Sequence, residues 1–183
     1  MIKNKTDLKR YLYIEKKNCF EYSTNWKNTF ILYITLDHRV LIWRYLKNLR
    51  KSEYYLNNGY FIQYLIYERK KNKIGNKLGF FIPPNTFDEG LTIYHQGNIV
   101  INPKVRVGKN CKIHGDVCIG NNGIEDKCPK IGDDVDIGIK SCIIGDIVIG
   151  DRIIIGGNSF VNKSFNQPNQ ILVGLPAKSI KTK

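Results

Sequence analysis

Three histidines are the side chains of this sequence best suited to acid–base chemistry near neutral pH. An imidazole has an unperturbed pKa of about 6.5, so it can take a proton from a hydroxyl group and later return it. His95 and His114 are 19 residues apart, whereas His38 lies in a separate basic stretch, where we interpret it as a surface or packing residue. Chemistry at His95 or His114 therefore depends on the elements that carry them.

An aliphatic residue recurs at every sixth position between Ile99 and Val161. A period of six fits neither an α-helix nor a single strand, so it indicates an array of short repeats. Each hexad can form one strand and one bend, and three hexads close a coil of about 18 residues around an apolar column. The pattern predicts a parallel β-helix with His95 and His114 on neighbouring coils. The register residues are Ile101, Val107, Ile113, Ile119, Ile131, Ile137, Ile143, Ile149, Ile155 and Val161.

Two other hexad positions are also restricted in composition. Glycine often follows the register residue, and we expect it there because a bend favours a residue without a Cβ; the positions are Gly108, Gly120, Gly132, Gly138, Gly150 and Gly156. Two residues before the register residue the side chain is mostly small or β-branched: Val105, Cys111, Val117, Val135, Ser141, Ile147, Ile153 and Ser159. The series is interrupted at Glu125, within a predicted inserted loop at 121–130.

Several motifs connect this region to a known family. They are Ile82-Pro83-Pro84-Asn85-Thr86, Gly90-Leu91-Thr92-Ile93-Tyr94-His95, Ile99-Val100-Ile101-Asn102-Pro103, Pro129-Lys130-Ile131-Gly132-Asp133 and Val173-Gly174-Leu175-Pro176-Ala177-Lys178. On these motifs the chain resembles the hexapeptide-repeat acyltransferases. The similarity is greatest to the serine acetyltransferase-like branch, which includes O-acetyltransferases of bacterial surface polysaccharides. The resemblance implies a mainly β fold, a left-handed parallel β-helix, over residues 79–183.

Residues 1–78 form a predicted α-helical N-terminal segment. We expect a short helix capped by Thr6, a long helix from Trp26 to about Lys51, and a third from Tyr60 to about Asn76. Pro83-Pro84 cannot continue a helix and marks the boundary. Many tyrosines alternate with lysine and arginine in this segment, a pattern that suits a membrane surface or an acceptor. We favour packing between helices and between subunits.

The chain carries a formal charge of +13, and residues 1–90 hold 17 basic against 8 acidic side chains. This surplus suits an anionic ligand such as coenzyme A, an anionic membrane or nucleic acid. No zinc-finger or RNA-binding motif is present, so we expect no nucleic-acid partner. Five cysteines without a Cys-x-x-Cys pair, and no signal peptide, favour the cytoplasm, and we expect no metal site. No apolar run is long enough to span a bilayer.

The resemblance assigns the catalytic base to His95, because the family's base follows a Gly-Leu-x-Ile-x-His pattern. Its acidic residues, which orient the base or bind an amino-acid substrate, are replaced here by Tyr94 and Phe81, and a second family histidine by Cys128. The loss of these groups favours an acceptor without charges, such as a sugar hydroxyl. Tyr94, His114 and Cys128 are predicted to line the acceptor site, and an acyl-cysteine at Cys128 is the less favoured alternative.

The resemblance also predicts acetyl-CoA as co-substrate, bound in a groove between subunits of a homotrimer. Its pantetheine arm is expected to approach the coil backbone at Gly138 and Gly156. Lys178 corresponds to a family phosphate-binding position, and Lys163 is a second, weaker candidate. For each lysine, simple exposure to solvent is an equally good interpretation.

Three hypotheses for function remain open from the sequence. We favour an acetyl-CoA-dependent O-acetyltransferase that acts on a saccharide used for surface polysaccharide. The first alternative is a serine O-acetyltransferase of cysteine biosynthesis. The second is a non-catalytic β-helix scaffold that binds an anionic partner through its basic helical half.

Overall fold

A computed structural model describes residues 1–21 and 25–182. The chain begins with four helices: α1 (Lys5–Cys19), α2 (Trp26–Ile34), α3 (His38–Asn57) and α4 (Phe61–Leu78). Fourteen strands in the described residues follow: β1 (Phe80–Phe81), β2 (Thr92–Ile93), β3 (Ile99–Ile101), β4 (Arg106–Val107), β5 (Lys112–Ile113), β6 (Val117–Gly120), β7 (Lys130–Ile131), β8 (Asp136–Ile137), β9 (Cys142–Ile144), β10 (Val148–Ile149), β11 (Ile154–Ile155), β12 (Phe160–Val161), β13 (Gln170–Gly174) and β14 (Ala177–Thr182).

The predicted long second helix is wrong. Leu36 adopts a left-handed backbone conformation at φ 52° between α2 and α3, so the helix that begins at Trp26 ends at Ile34. Asp37 then caps α3, because its carboxylate accepts a hydrogen bond from the backbone N–H of Arg39 at 3.0 Å. The first helix is also capped differently, by Asn4 in place of Thr6.

The strands form three sheets, which are the three faces of the β-helix, and the chain follows these faces in turn. Face 1 has the order β1-β3-β6-β9-β12, face 2 the order β10-β7-β4, and face 3 the order β14-β13-β11-β8-β5-β2. Only the β13–β14 pair is antiparallel among the strand pairs described, and this hairpin closes the end of face 3. Every sixth residue therefore turns inward from a new face, which confirms the predicted β-helix.

The core is the column that the hexads predict. All ten register residues are buried, with at most 5% of their surface exposed, and the small or β-branched residues two positions earlier are buried too. Ile99 and Val117 pair across one regular coil, whereas Cys118 pairs with Cys142 because the inserted loop lengthens that coil. The loop occupies the corner between faces 1 and 2.

We predicted the repeated glycines because a bend favours a residue without a Cβ. At Gly108 and Gly138 a Cβ is indeed excluded, but by the close stacking of neighbouring coils and not by the backbone conformation of a bend. A Cβ on Gly138 would lie 2.5 Å from the backbone N of Gly157, and one on Gly108 would lie 2.7 Å from the carbonyl of Gly132. These glycines therefore allow neighbouring coils to stack closely, and none of the six has a positive φ. The left-handed corner conformation falls two residues after five of these glycines, on Asn110, Asp134, Lys140, Arg152 and Asn158, and also on Asp116, two residues after His114.

A buried charge cluster joins the helical segment to the first coil. Arg50 of α3 is fully buried and pairs with Glu15 of α1 at 2.6 Å and with Glu53 at 2.8 Å. The same guanidinium donates to the backbone carbonyls of Phe87 at 2.9 Å and Asp88 at 2.8 Å. The helices and the coils thus share one hydrogen-bonded centre, which fixes the position of α3 against the coil corner.

Candidate active site

His95 lies two residues beyond the end of β2, at the corner where the chain turns from face 3 to face 1, and its side chain is exposed. The pairing of β2 with β5 spans 20 residues, two more than the predicted coil of about 18. Thr92 pairs with Lys112, and the Tyr94 N–H donates to the Ile113 carbonyl at 2.9 Å. His95 consequently lies beside Gly115, and Tyr94 lies beside His114.

His38 reaches this corner from the helical segment. Its ring stacks on the His95 ring with 5.9 Å between centroids and 24° between planes. Its Nε2 lies 3.2 Å from the carbonyl oxygen of Tyr94, and its Nδ1 lies 3.6 Å from a carboxylate oxygen of Asp37. The sequence interpretation of His38 as a surface or packing residue holds, since its side chain is 36% exposed, but the ring that it packs against is that of His95, which the sequence did not predict.

Tyr94 and His114 form a second ring pair on the same side of the corner. Their centroids are 4.6 Å apart at 30°, and the Nε2 of His114 lies 2.8 Å from a carboxylate oxygen of Asp136 on β8. Since a carboxylate only accepts, Nε2 carries the hydrogen, and a neutral His114 keeps its lone pair on Nδ1. His114 is thus held in one orientation, half-exposed and next to Tyr94.

Gly138 and Gly156 continue the column that begins with Tyr94 and His114. The His114 N–H donates to Ile137, the Gly138 N–H to Ile155 and the Gly156 N–H to Leu172, so the four positions occupy successive coils. A Cβ on Gly156 would lie 2.7 Å from a methyl carbon of Val173. Coil stacking explains both glycines, and the absence of side chains leaves a shallow strip along face 3.

The two predicted phosphate-binding lysines lie on different sides of the β-helix. Lys178 is exposed on β14, which continues face 3 beyond the glycine strip. Lys163 follows β12 at the corner between faces 1 and 2, with its ammonium 5.4 Å from the centre of the Phe165 ring. Only Lys178 extends the surface that includes Tyr94 and His114.

Phe81 and Cys128 lie away from His95 within one chain. Phe81 is 58% exposed on the outer side of face 1. Cys128 is buried against the core at the corner between faces 1 and 2, in the inserted loop. Burial raises the pKa of the Cys128 thiol, which opposes the thiolate that acyl-cysteine chemistry requires. The predicted acceptor contact of Cys128 would need a second copy of the chain.

Two residues of the site were missed from the sequence, His38 and Asp136. Asp136 occupies an ordinary outward hexad position, and His38 is the first residue of α3, so neither has a local signal of its own. Across the described residues no cluster of His, Cys, Asp and Glu is arranged to hold a metal ion. The same part of the chain contains no helix that is long and apolar enough to cross a membrane.

The relatives found by comparison with known proteins include serine acetyltransferases and a putative colanic acid biosynthesis acetyltransferase. The chain is 38% identical over 100 residues to the mitochondrial serine acetyltransferase 3 of Arabidopsis thaliana, covering 54% of this chain and 25% of that protein. It is 36% identical over 94 residues to the putative colanic acid biosynthesis acetyltransferase WcaB of Escherichia coli K12, covering 51% of this chain and 57% of that protein. The chain thus spans a quarter of one relative and just over half of the other. No protein-family model matches it.

Solved structures extend the likeness to the helical segment. The serine acetyltransferase of Neisseria gonorrhoeae superimposes with a TM-score of 0.73 and 26% identity, covering 98% of this chain and 68% of that one. The coenzyme A complex of the Brucella abortus serine acetyltransferase gives a TM-score of 0.78 at 20% identity over 97% of this chain and 69% of that one, which shows the shared fold. The resemblance and the fold class, helices followed by a left-handed β-helix, are confirmed: along nearly its whole length the chain is similar to the serine acetyltransferase-like hexapeptide-repeat acyltransferases.

Proposed function

We propose that the protein is an O-acetyltransferase that uses acetyl-CoA and acts on an uncharged acceptor hydroxyl, that of a saccharide for surface polysaccharide. The observation that carries the proposal is the exposed His95, placed at a coil corner with its ring stacked on that of His38. The similarity to both serine acetyltransferases and WcaB supports acetyl transfer. Coenzyme A bound to a protein of the same fold supports the co-substrate.

In the proposed reaction His95 acts as general base. One ring nitrogen takes the proton of the acceptor hydroxyl as its oxygen attacks the thioester carbonyl, and a tetrahedral intermediate forms. Collapse of the intermediate breaks the carbon–sulfur bond, and the protonated His95 gives its proton to the leaving thiolate. The products are the acetyl ester and free coenzyme A, so no other reactant is needed. A positioned base of this kind contributes about 10²–10⁴-fold to the rate.

The surroundings of His95 favour a neutral acceptor over serine. Around the corner, the carboxylate of Asp136 is already paired with His114, and that of Asp37 is paired with Arg39 at 2.8 Å. Tyr94 and Phe81 occupy the positions where the resemblance leads us to expect acids. An amino-acid acceptor would bring an ammonium group that none of these described contacts neutralises. Aromatic rings, by contrast, suit the apolar face of a sugar.

The experiment is thiol release from acetyl-CoA by the purified protein, with L-serine or one of a set of sugars and nucleotide sugars as acceptor. Sugar-dependent release supports the proposal, and faster release with serine establishes the alternative, a serine O-acetyltransferase. His95→Ala should lower kcat by about 10²-fold or more, whereas His114→Ala should mainly raise KM for the acceptor. Coenzyme binding without release for any acceptor would favour the non-catalytic scaffold.

We also propose a homotrimer as the functional unit. The outward side of face 1 carries an apolar stripe, Phe81, Val100, Cys118, Cys142 and Phe160, of which Phe81 and Val100 are 58% and 48% exposed. A groove lined by Asn72, Asn76 and Phe81 connects the stripe to α4, where Phe61, Ile62, Leu65 and Ile66 are exposed. A continuous apolar surface of this kind suits subunit contact.

The described α2 helix buries none of its residues, and Trp26, Phe30 and Ile34 are exposed. This exposed apolar side of α2 supports the peripheral membrane contact that the basic, aromatic residues of the helical segment suggest. A further contact between subunits is the alternative. Location in the cytoplasm remains a prediction.

A further inference from the structure

Two imidazoles from different halves of the chain meet at the coil corner, and the proposed reaction uses only one of them. His95 belongs to the first complete coil, and His38 is the first residue of α3. The stack of the two rings is accompanied by a hydrogen bond between His38 and the backbone next to His95. His38 therefore contacts the proposed base directly through its ring, and contacts the preceding residue, Tyr94, through the hydrogen bond.

The hydrogen bond fixes the tautomer of His38. The carbonyl oxygen of Tyr94 only accepts, so the Nε2 of His38 must carry the hydrogen at 3.2 Å. That carbonyl belongs to the peptide group whose nitrogen is the backbone nitrogen of His95. His38 therefore restrains the peptide plane between Tyr94 and His95. This restraint also limits the position of the His95 Cα and the direction of its Cα–Cβ bond.

The stack restricts the other end of the His95 side chain. Among the described residues, His95 makes no side-chain hydrogen bond, and its recorded ring contact is the one with His38. An exposed side chain without such a contact samples several χ1 and χ2 states. Because parallel stacking leaves the ring edge uncovered, both ring nitrogens of His95 stay available to an acceptor.

His38 is itself held in place. Asp37 caps α3, and Arg39 pairs with the same carboxylate at 2.8 Å, which fixes the first turn of the helix that carries His38. The hydrogen bonds from Arg39 lower the pKa of Asp37 to about 2, so this carboxylate stays ionised. Farther along α3, Arg50 joins the helix to the coil through two backbone carbonyls. The ring of His38 is therefore a fixed support.

We propose that His38 is the positioning residue of this acetyltransferase: it orients His95 through ring stacking and through its hydrogen bond to the peptide before it. This assignment rests on the proposed function. It supplies the orientation that the acids replaced by Tyr94 and Phe81 would otherwise give. Because His38 belongs to α3, the rate of the proposed reaction at His95 depends on how α3 packs against the coils.

Three variants separate the two contacts. His38→Phe keeps a ring for stacking but has no donor, His38→Gln keeps a donor but has no ring, and His38→Ala keeps neither. Since small misplacement of a catalytic group can cost up to about 10²-fold, we expect His38→Ala to lower kcat by about 10–100-fold. KM for acetyl-CoA should stay within about twofold, and His38→Phe and His38→Gln should each recover part of kcat. Lys47→Ala, on an exposed position of α3, is the control.

A kcat of His38→Ala within twofold of the wild type would overturn the proposal. A parallel loss of thermal stability and of coenzyme binding would also overturn it, because that pattern indicates a structural role. NMR of the His95 imidazole provides a readout without turnover: in His38→Ala its ring-proton shifts should move towards those of an unstructured histidine. If the wild type releases no thiol with any acceptor, the proposed function fails, and unchanged His95 shifts would then reject the positioning role separately.

Discussion

Replacing Arg50 by alanine should detach the helical segment from the coils. Arg50, Glu15 and Glu53 have at most 2% of their side-chain surface exposed, so the substitution leaves two buried carboxylates without their cation. The backbone carbonyls of Phe87 and Asp88 lose their donors at the same time. Burial without a partner is the costly state for a charged group, which makes this cluster the most sensitive point between the two halves.

Breaking a buried ion pair from one side typically costs about 3–5 kcal/mol. A domain of this size has about 5–15 kcal/mol of total stability, so the loss is a large fraction of it. With a urea m-value near 2 kcal/mol/M, the midpoint of unfolding should fall by about 2 M. Because α3 carries His38 to the corner, kcat should fall together with the stability of the helical segment.

Urea titration followed by far-UV circular dichroism measures this effect, and Arg10→Ala is the matched control. Arg10 also joins the helices to the first coil, through Glu89 at 2.6 Å, but it is exposed. Water replaces an exposed ion pair readily, so Arg10→Ala should leave the midpoint almost unchanged. Equal midpoints for Arg50→Ala and Arg10→Ala would refute the reasoning from burial.

The deficit of Arg50→Ala should also depend on pH. Burial raises the pKa of Glu15 above its usual value of 4.5, and Arg50 opposes that rise in the wild type. Without Arg50, the folded state binds a proton on Glu15 more tightly than the unfolded state does. A raised folded-state pKa favours folding at low pH and disfavours it as the pH rises above the unfolded value. The variant should therefore be closer to the wild type at pH 5 than at pH 8.

Two further predictions concern the coils and their assembly. Gly138→Ala should cost about 1–3 kcal/mol because its Cβ would lie 2.5 Å from the Gly157 nitrogen. Gly120→Ala, whose nearest neighbour would be 3.6 Å away, should change the unfolding free energy little; similar losses for both would contradict the close-stacking explanation. If the protein is the proposed trimer, Val100→Glu on face 1 should convert it to monomers in analytical ultracentrifugation, while Val148→Glu, 45% exposed on face 2, should not. A trimer that tolerates Val100→Glu would exclude face 1 as the interface.

The coil architecture was predictable because a hexad determines directly which side chains turn inward. Ile113, Ile137 and Ile155 occupy one inward position on successive coils, and each is buried as the period requires. The glycines show the limit of that approach. Their positions follow from the repeat, but the distance between coils, which excludes a Cβ at Gly138, is a property of the stacked structure.

The helical half was predicted less well, since its apolar spacing does not show where a helix must stop. The pattern from Trp26 onward continues through Leu36 and Asp37, and only the left-handed backbone at Leu36 and the cap at Asp37 separate α2 from α3. That break places His38 at the first turn of α3, from which its side chain reaches the coil corner.

The sequence by itself determined the inward column and the change from helices to coils near residue 79, because both are expressed in local spacing, and a short motif in it is the source of the proposed base, His95. Only the tertiary structure decided what surrounds that base. His38 and Tyr94 are 56 residues apart and meet because α3 packs against the first coil through Arg50. His114 finds Asp136 across a coil that the inserted loop has lengthened. Contacts of this kind depend on docking between elements, and no local pattern in either partner records them.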